Sequence, residues 1–174
     1  MKTQGKRAGE VALAFDPGQV ADASVAFIGT IETAFGPADC PRNLRQARET
    51  GTSAVLWVDP PYRAGLDGLA AHDPVIVLYW MAGAPRDLIR QVPRHREGPV
   101  GVFALRSPAR PNPVALGVTR VRAIDAQAGR VEVDALDCWT GTPLIDIKPY
   151  LSTVDLPPDT GARPAPTDQQ PSGQ

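Results

Sequence analysis

The sequence predicts a mainly β domain with little helix, in the form of a closed or nearly closed barrel or a sandwich. Nineteen prolines and sixteen glycines among 174 residues exceed the usual share and disfavour long helices. Seven short runs rich in β-branched and aromatic residues recur along the chain, as strands do. No helical segment of useful length separates these runs, which disfavours an alternating βαβ arrangement.

Residues 1–20 are expected to form a loosely ordered N-terminal extension, residues 21–153 the folded domain, and residues 154–174 a disordered tail. The tail is rich in Pro, Gln and Ser and has almost nothing apolar to bury. Within the domain, residues 24–33 (SVAFIGTIET) are expected as a strand and residues 35–41, with one glycine and two prolines, as loop. Residues 53–58 (SAVLWV) form a strand stopped by Asp59-Pro60-Pro61. Residues 66–71 are weakly helical, one turn at most. Residues 74–81 (PVIVLYWM) are a continuous apolar run and so a buried strand. Residues 85–92 are expected as a short helix with proline near its start, or as loop. Residues 100–105, 114–124, 130–136 and 143–147 complete the strands. Val114, Leu116 and Val118 alternate with Ala115, Gly117 and Thr119, the period of a half-buried strand.

No run approaches eighteen consecutive apolar residues, so no membrane helix is expected. The basic start at Lys2, Lys6 and Arg7 lacks the apolar stretch that a secretory signal needs. Cys40 and Cys138 make no CxxC pair and only His72 and His95 are available. Neither a disulfide framework nor a metal site is expected, and the cytoplasm is the expected compartment. No Gly-rich phosphate loop, nucleophile elbow or HExxH pattern occurs.

The net charge of −1 conceals an uneven distribution. Residues 86–122 hold eight arginines against Asp87 and Glu97, a balance of +6, whereas residues 123–155 stand at −4. Arginine suits planar, bidentate recognition of phosphate or carboxylate. The competing account is a solvated face with local ion pairs.

Two segments stand out. In the first, an apolar run leads into Arg106-Ser107-Pro108-Ala109-Arg110-Pro111-Asn112-Pro113, with three prolines in six residues. Proline fixes φ and forces the preceding residue to be extended, so Arg106, Ser107, Arg110 and Asn112 should be held in fixed directions, as a binding site requires. The alternatives are a solvated turn, or a PxxP ligand formed by Pro108 to Pro111, which the flanking apolar strands disfavour. The second segment runs from Leu136 to Tyr150. Its Thr140-Gly141-Thr142-Pro143 turn should expose backbone amides, and Asp137 and Asp146 flank it.

Together these segments resemble the TsaA/TrmO-like family of S-adenosylmethionine-dependent methyltransferases. That family carries R-S-x-x-R-P-N-P after a strand, and later L-D-x-x-D-G-T-P-x-x-D-I-K-P-Y. The first pattern is intact here, and the second is intact except that Thr140 replaces an aspartate. Ile28-Gly29-Thr30-Ile31 matches the family's I-G-x-I, and Pro41-Arg42-Asn43 its P-R-Q, with Asn43 in place of glutamine. Met81 stands where a histidine is usual, and Gly117 follows Ala115-Leu116 where G-L-S is usual. The resemblance spans residues 24–151.

The resemblance implies a single-sheeted β-barrel, a homodimer, and N6-methylation of threonylcarbamoyladenosine in tRNA with S-adenosylmethionine as cofactor. It assigns cofactor contacts to Pro41, Arg42, Asn43, Arg106, Leu116, Thr140, Gly141, Thr142 and Pro143. Arg110 and Asn112 become candidate substrate contacts. Methyl transfer to nitrogen calls for a proton acceptor, and Asp137 and Asp146 are the acids within a motif. Other acceptors (a small molecule or a protein) and cofactor binding without turnover remain as alternatives.

Overall fold

The computed structural model describes residues 7–20, 22–93 and 98–157. In chain order its strands are β1 (Val11–Ala12), β2 (Gly29–Glu32), β3 (Ala54–Val58), β4 (Pro74–Trp80), β5 (Leu88–Gln91), β6 (Val100–Gly101), β7 (Val114–Asp125), β8 (Arg130–Val133) and β9 (Thr142–Pro149). Two short α-helices, α1 (Leu44–Glu49) and α2 (Ser152–Asp155), accompany three 3-10 turns at Pro17–Gln19, Pro60–Leu66 and Val102–Ala104. The protein is mainly β with little helix, as the sequence predicts.

Six strands close on themselves in the order β2-β3-β8-β7-β4-β9, every pairing antiparallel. The expectation of one sheet is corrected, because β1, β5 and β6 form a second, three-stranded sheet. Alternation sets the interior. Ile31, Leu56, Val75, Val77, Val121, Val131, Val133 and Leu144 all point inward and are inaccessible to solvent. Leu136 and Cys138 pack into the same cluster.

The long strand β7 serves two neighbours in turn. Residues 114–120 pair with β4, and residues 121–125 pair with β8, with a register shift between Val121 and Ala123. A bulge at that point bends the strand and lets a ring of few strands turn its corner. At Gly29 the backbone of β2 approaches β3 so closely that a Cβ would lie 1.8 Å from the Trp57 carbonyl oxygen. This accounts physically for the glycine in the Ile28-Gly29-Thr30-Ile31 motif.

Several boundaries differ from expectation. The first strand is confined to Gly29–Glu32 and does not begin at residue 24. Residues 88–91, expected as helix or loop, are β5, which buries Leu88 and Gln91. Strand β6 ends at Gly101, and Val102–Ala104 turn in a 3-10 coil. The helical turn expected over 66–71 lies earlier, over Pro60–Leu66, where two prolines open it. Within the expected N-terminal extension, β1 pairs with β5. Within the expected tail, residues 154 and 155 belong to α2. Residues 1–6 and 158–174, and Arg94 and Arg96 of the arginine stretch, lie outside the described residues.

Candidate functional site

Beside the ring lies an open cleft of about 1150 Å³. Its walls come from the loop leading into α1 (Pro37, Cys40, Pro41, Arg42, Asn43), from α1 itself (Leu44, Arg45, Arg48), from the loop after Val102–Ala104 (Leu105 to Pro108, Arg110), from β7 (Val114, Ala115, Leu116, Val118), and from Tyr79, Met81, Asp137 and Trp139. Three sequence-distant segments, around residues 42, 106 and 137, therefore meet in one place.

The loop from Arg106 to Pro113 is rigid for more reasons than its prolines. Arg110 donates from Nε to the Ser107 carbonyl at 2.8 Å and from Nη2 to the carbonyls of Val102, at 3.1 Å, and Leu105. The Gln91 side chain, buried on β5, donates to the Ala109 carbonyl. Arg86 donates from Nε to the Pro111 carbonyl at 2.7 Å and lies over the Trp80 ring, 5.4 Å from its centroid. The second sheet thus supplies part of the frame that holds this loop. Arg106 is left exposed at the cleft, braced by a 2.6 Å bond from Nη2 to the Leu116 carbonyl.

Asn43 caps α1. Its Oδ1 accepts from the Gln46 amide at 3.0 Å, while Gln46 Oε1 accepts from the Arg42 amide at 3.0 Å. An Asn followed three residues later by Gln is a helix-start signal, and it is the signal that could have announced this helix, which is absent from the elements expected of the sequence. Arg48 ties the helix to β7 through the Val118 carbonyl at 2.5 Å, and its Nε lies 3.7 Å from Asp134 Oδ2. Trp139, 45% exposed, and Tyr79, nearly buried, complete the wall. Neither was marked by motif spacing.

Among the described residues, Asp137 is the only carboxylate lining the cleft, against five arginines. Its Oδ1 accepts from the Tyr79 hydroxyl at 2.9 Å. Burial first, and Asp137 second, push the Tyr79 phenol above its ordinary value, which keeps it a neutral donor. Burial likewise raises the Cys40 thiol, with Asp137 and Asp39 adding to the effect, and pushes Cys138 up to about 12.

Other expected site residues stand elsewhere. Asp146 is not among the cleft residues. It pairs with Lys148 at 2.7 Å and accepts from the Ile147 amide at 2.9 Å. Residues Thr140 to Pro143 do not line the cleft either, and their amides are not exposed as the sequence suggested. The Thr140, Gly141 and Thr142 amides donate to the carbonyls of Phe35, Ile31 and Trp139. Gly141, at φ +81°, makes the turn that allows this. Asn112 sits outside the cleft, where its Oδ1 accepts from Arg86 Nη2 at 3.4 Å. Other arginines of residues 86–122 are engaged away from the cleft: Arg90 donates to the Pro99 carbonyl and Arg120 to the His72 carbonyl.

The buried thiol and phenol give an expected alkaline weakening. Both keep their protons in the folded state over a range where the unfolded chain has lost them, so stability falls as pH rises above 9.0, the ordinary value of the Cys138 thiol. Each such group contributes a slope of about 1.4 kcal/mol per pH unit. Urea titrations from pH 8 to 11 should show the decline, with a gentler slope above pH 10 in Tyr79→Phe. A flat curve would mean that neither group is held neutral.

Comparison with known proteins bears on this cleft. Residues 30–156 match the family model of the tRNA-methyltransferase O N-terminal domain. A probable S-adenosyl-L-methionine-binding protein, VirR of Rhizobium radiobacter, is 36% identical over 147 residues, 84% of this chain and 80% of its own length. A tRNA (adenine(37)-N6)-methyltransferase of Eikenella corrodens is 40% identical over 85 residues, 48% of each chain. The crystal structure of TrmO from Pseudomonas aeruginosa superimposes with a TM-score of 0.62 at 29% identity, over 81% of this chain and 60% of that one. The chain thus spans about 60% of the length of that solved structure.

Proposed function

The chain belongs to the tRNA-methyltransferase O family, and from that premise we propose that it is an S-adenosylmethionine-dependent methyltransferase acting on N6 of an adenosine in tRNA. The observation that carries this is the convergence of Pro41-Arg42-Asn43, Arg106, Leu116 and Asp137 on one cleft. A threonylcarbamoyl-modified adenosine is the proposed acceptor, and a tRNA substrate implies a cytoplasmic reaction.

The lining fits the cofactor. S-adenosylmethionine needs a cationic partner for its carboxylate and an apolar surface for its adenine. Arg106 keeps donors beyond the one engaged by Leu116, and Leu116, Met81 and Trp139 provide apolar wall. When bound, the cofactor supplies an electrophilic methyl group on a sulfonium. The protein's part is positioning and acceptance of the proton that leaves nitrogen, for which Asp137 is the available group. Asp146, ion-paired away from the cleft, is not needed in this scheme. Arg110 acts by holding the loop, since its donors are engaged by carbonyls.

Calorimetry with S-adenosylmethionine and transfer of a labelled methyl group to tRNA test the proposal together. Binding without transfer to any tRNA would instead favour a small-molecule or protein acceptor, or a binding module without turnover. The off-cleft position of Thr140 to Pro143 and the binding-protein name of the Rhizobium relative favour that second account.

For the tRNA backbone, Arg45 is well placed, since its side chain lies on α1 at the cleft and is 74% exposed. Arg45→Ala is expected to weaken tRNA binding and lower the slope of log affinity against log salt by roughly 0.7–0.9, one phosphate contact. Cofactor affinity should stay unchanged, and an unaltered salt slope would remove Arg45 from the interface. We also propose a homodimer, supported by Phe103, which is 81% exposed just before the Arg106 loop. Sedimentation of Phe103→Ser should show monomer where the parent shows dimer.

A further inference from the structure

We propose that Tyr79 is a positioning residue for methyl transfer, orienting the Asp137 carboxylate so that its second oxygen takes the acceptor's proton. This rests on the methyltransferase reading of the cleft. Three features support it. Tyr79 projects inward from β4, is 2% exposed, and still reaches the cleft wall. Its hydroxyl donates to Asp137 Oδ1 at 2.9 Å. Asp137 Oδ2 accepts no hydrogen bond from any described residue, so one oxygen is fixed and the other is free.

The setting explains why such a partner is needed. A carboxylate with no fixed contact is free to turn about its own bond, and a hydrogen bond donated to one oxygen fixes where the other points. The thiols of Cys40 and Cys138, pushed up by burial and by the Asp137 charge, stay neutral beside it, and Arg106 lines the same cleft. Only Tyr79 makes a direct bond to the carboxylate among the described residues.

The step balances. As the new N–C bond forms, the methyl–sulfur bond breaks and its electron pair neutralises the sulfonium. The N–H proton passes to Asp137 Oδ2 and then to solvent. Tyr79 keeps its own proton throughout, so it orients the base without acting as one.

The test is Tyr79→Phe, which retains the ring that fills the core. Single-turnover methyl transfer should slow by about ten-fold, with cofactor affinity unchanged. The double variant Tyr79→Phe/Asp137→Asn should be no slower than Asp137→Asn alone, the non-additivity expected of two groups that act as one. A Tyr79→Phe rate equal to the parent's, or additive losses in the double variant, would overturn the proposal and leave Tyr79 as core packing. If the parent protein transfers no methyl group, the methyltransferase reading fails, and the proton-accepting role falls with it.

Discussion

Asp137→Asn is expected to reduce methyl transfer by about 10²–10⁴-fold, the usual contribution of a positioned acid or base. Cofactor affinity should change little. Asparagine keeps the shape and an oxygen that can accept from the Tyr79 hydroxyl, so the loop and strand β4 need not move. What is lost is the only carboxylate that the described residues bring to the cleft. The control is Asp146→Asn, which removes a charge already neutralised by Lys148 on the outside of β9 and should leave the rate within about two-fold. Single-turnover rates for the two variants separate the acids, and equal losses would mean that the cleft has been misassigned.

Gly29→Ala is the substitution expected to damage folding most. The added methyl would overlap the Trp57 carbonyl oxygen at 1.8 Å, a contact with backbone that no rotamer change relieves. Separating β2 from β3 would weaken two neighbouring ladders, since β2 pairs with β9 on its other side. Overpacking of this kind costs about 3 kcal/mol or more, which lowers Tm by roughly 6–12 °C for a chain of this size. Thermal melts of the purified variant measure this directly. A melt within about two degrees of the parent would show that β2 can shift without loss.

The two predictions draw on different kinds of legibility. Alternating apolar residues at 114–125 and 130–133, and unbroken apolar runs at 54–58 and 74–80, mark four of the ring strands. The short strand β5 lacks that mark. Its buried residue besides Leu88 is the polar Gln91, recruited to hold the Ala109 carbonyl. No local pattern announces a side chain chosen for a partner eighteen positions away. The Arg106 loop was legible as rigid from its prolines, but Arg110 reads in sequence as a hand extended to a ligand, whereas it grips its own backbone. Arginine donors look alike in sequence whatever they bind. The same holds for Thr140 and Gly141, where the turn was legible but the carbonyls that take their amides come from residues about a hundred positions earlier, at Phe35 and Ile31. Tyr79 was visible only as part of an apolar run, since its pairing with Asp137 joins residues 58 positions apart.

Closure of the six-stranded ring has a consequence for how copies of this protein can meet. Every ring strand has a neighbour on both sides, and where residues 114–120 of β7 pair only with β4, Arg106 and Arg48 take the Leu116 and Val118 carbonyls on the other side, so a foreign strand finds little free edge to join. The open margins of the second sheet belong to β1 and β6, two residues each. A margin that short is a poor template for strand addition or fibril growth. Self-association must therefore proceed by side chains packing on side chains, through exposed groups such as Phe103. An interface of that kind is tuned one residue at a time without opening a route to uncontrolled polymerisation.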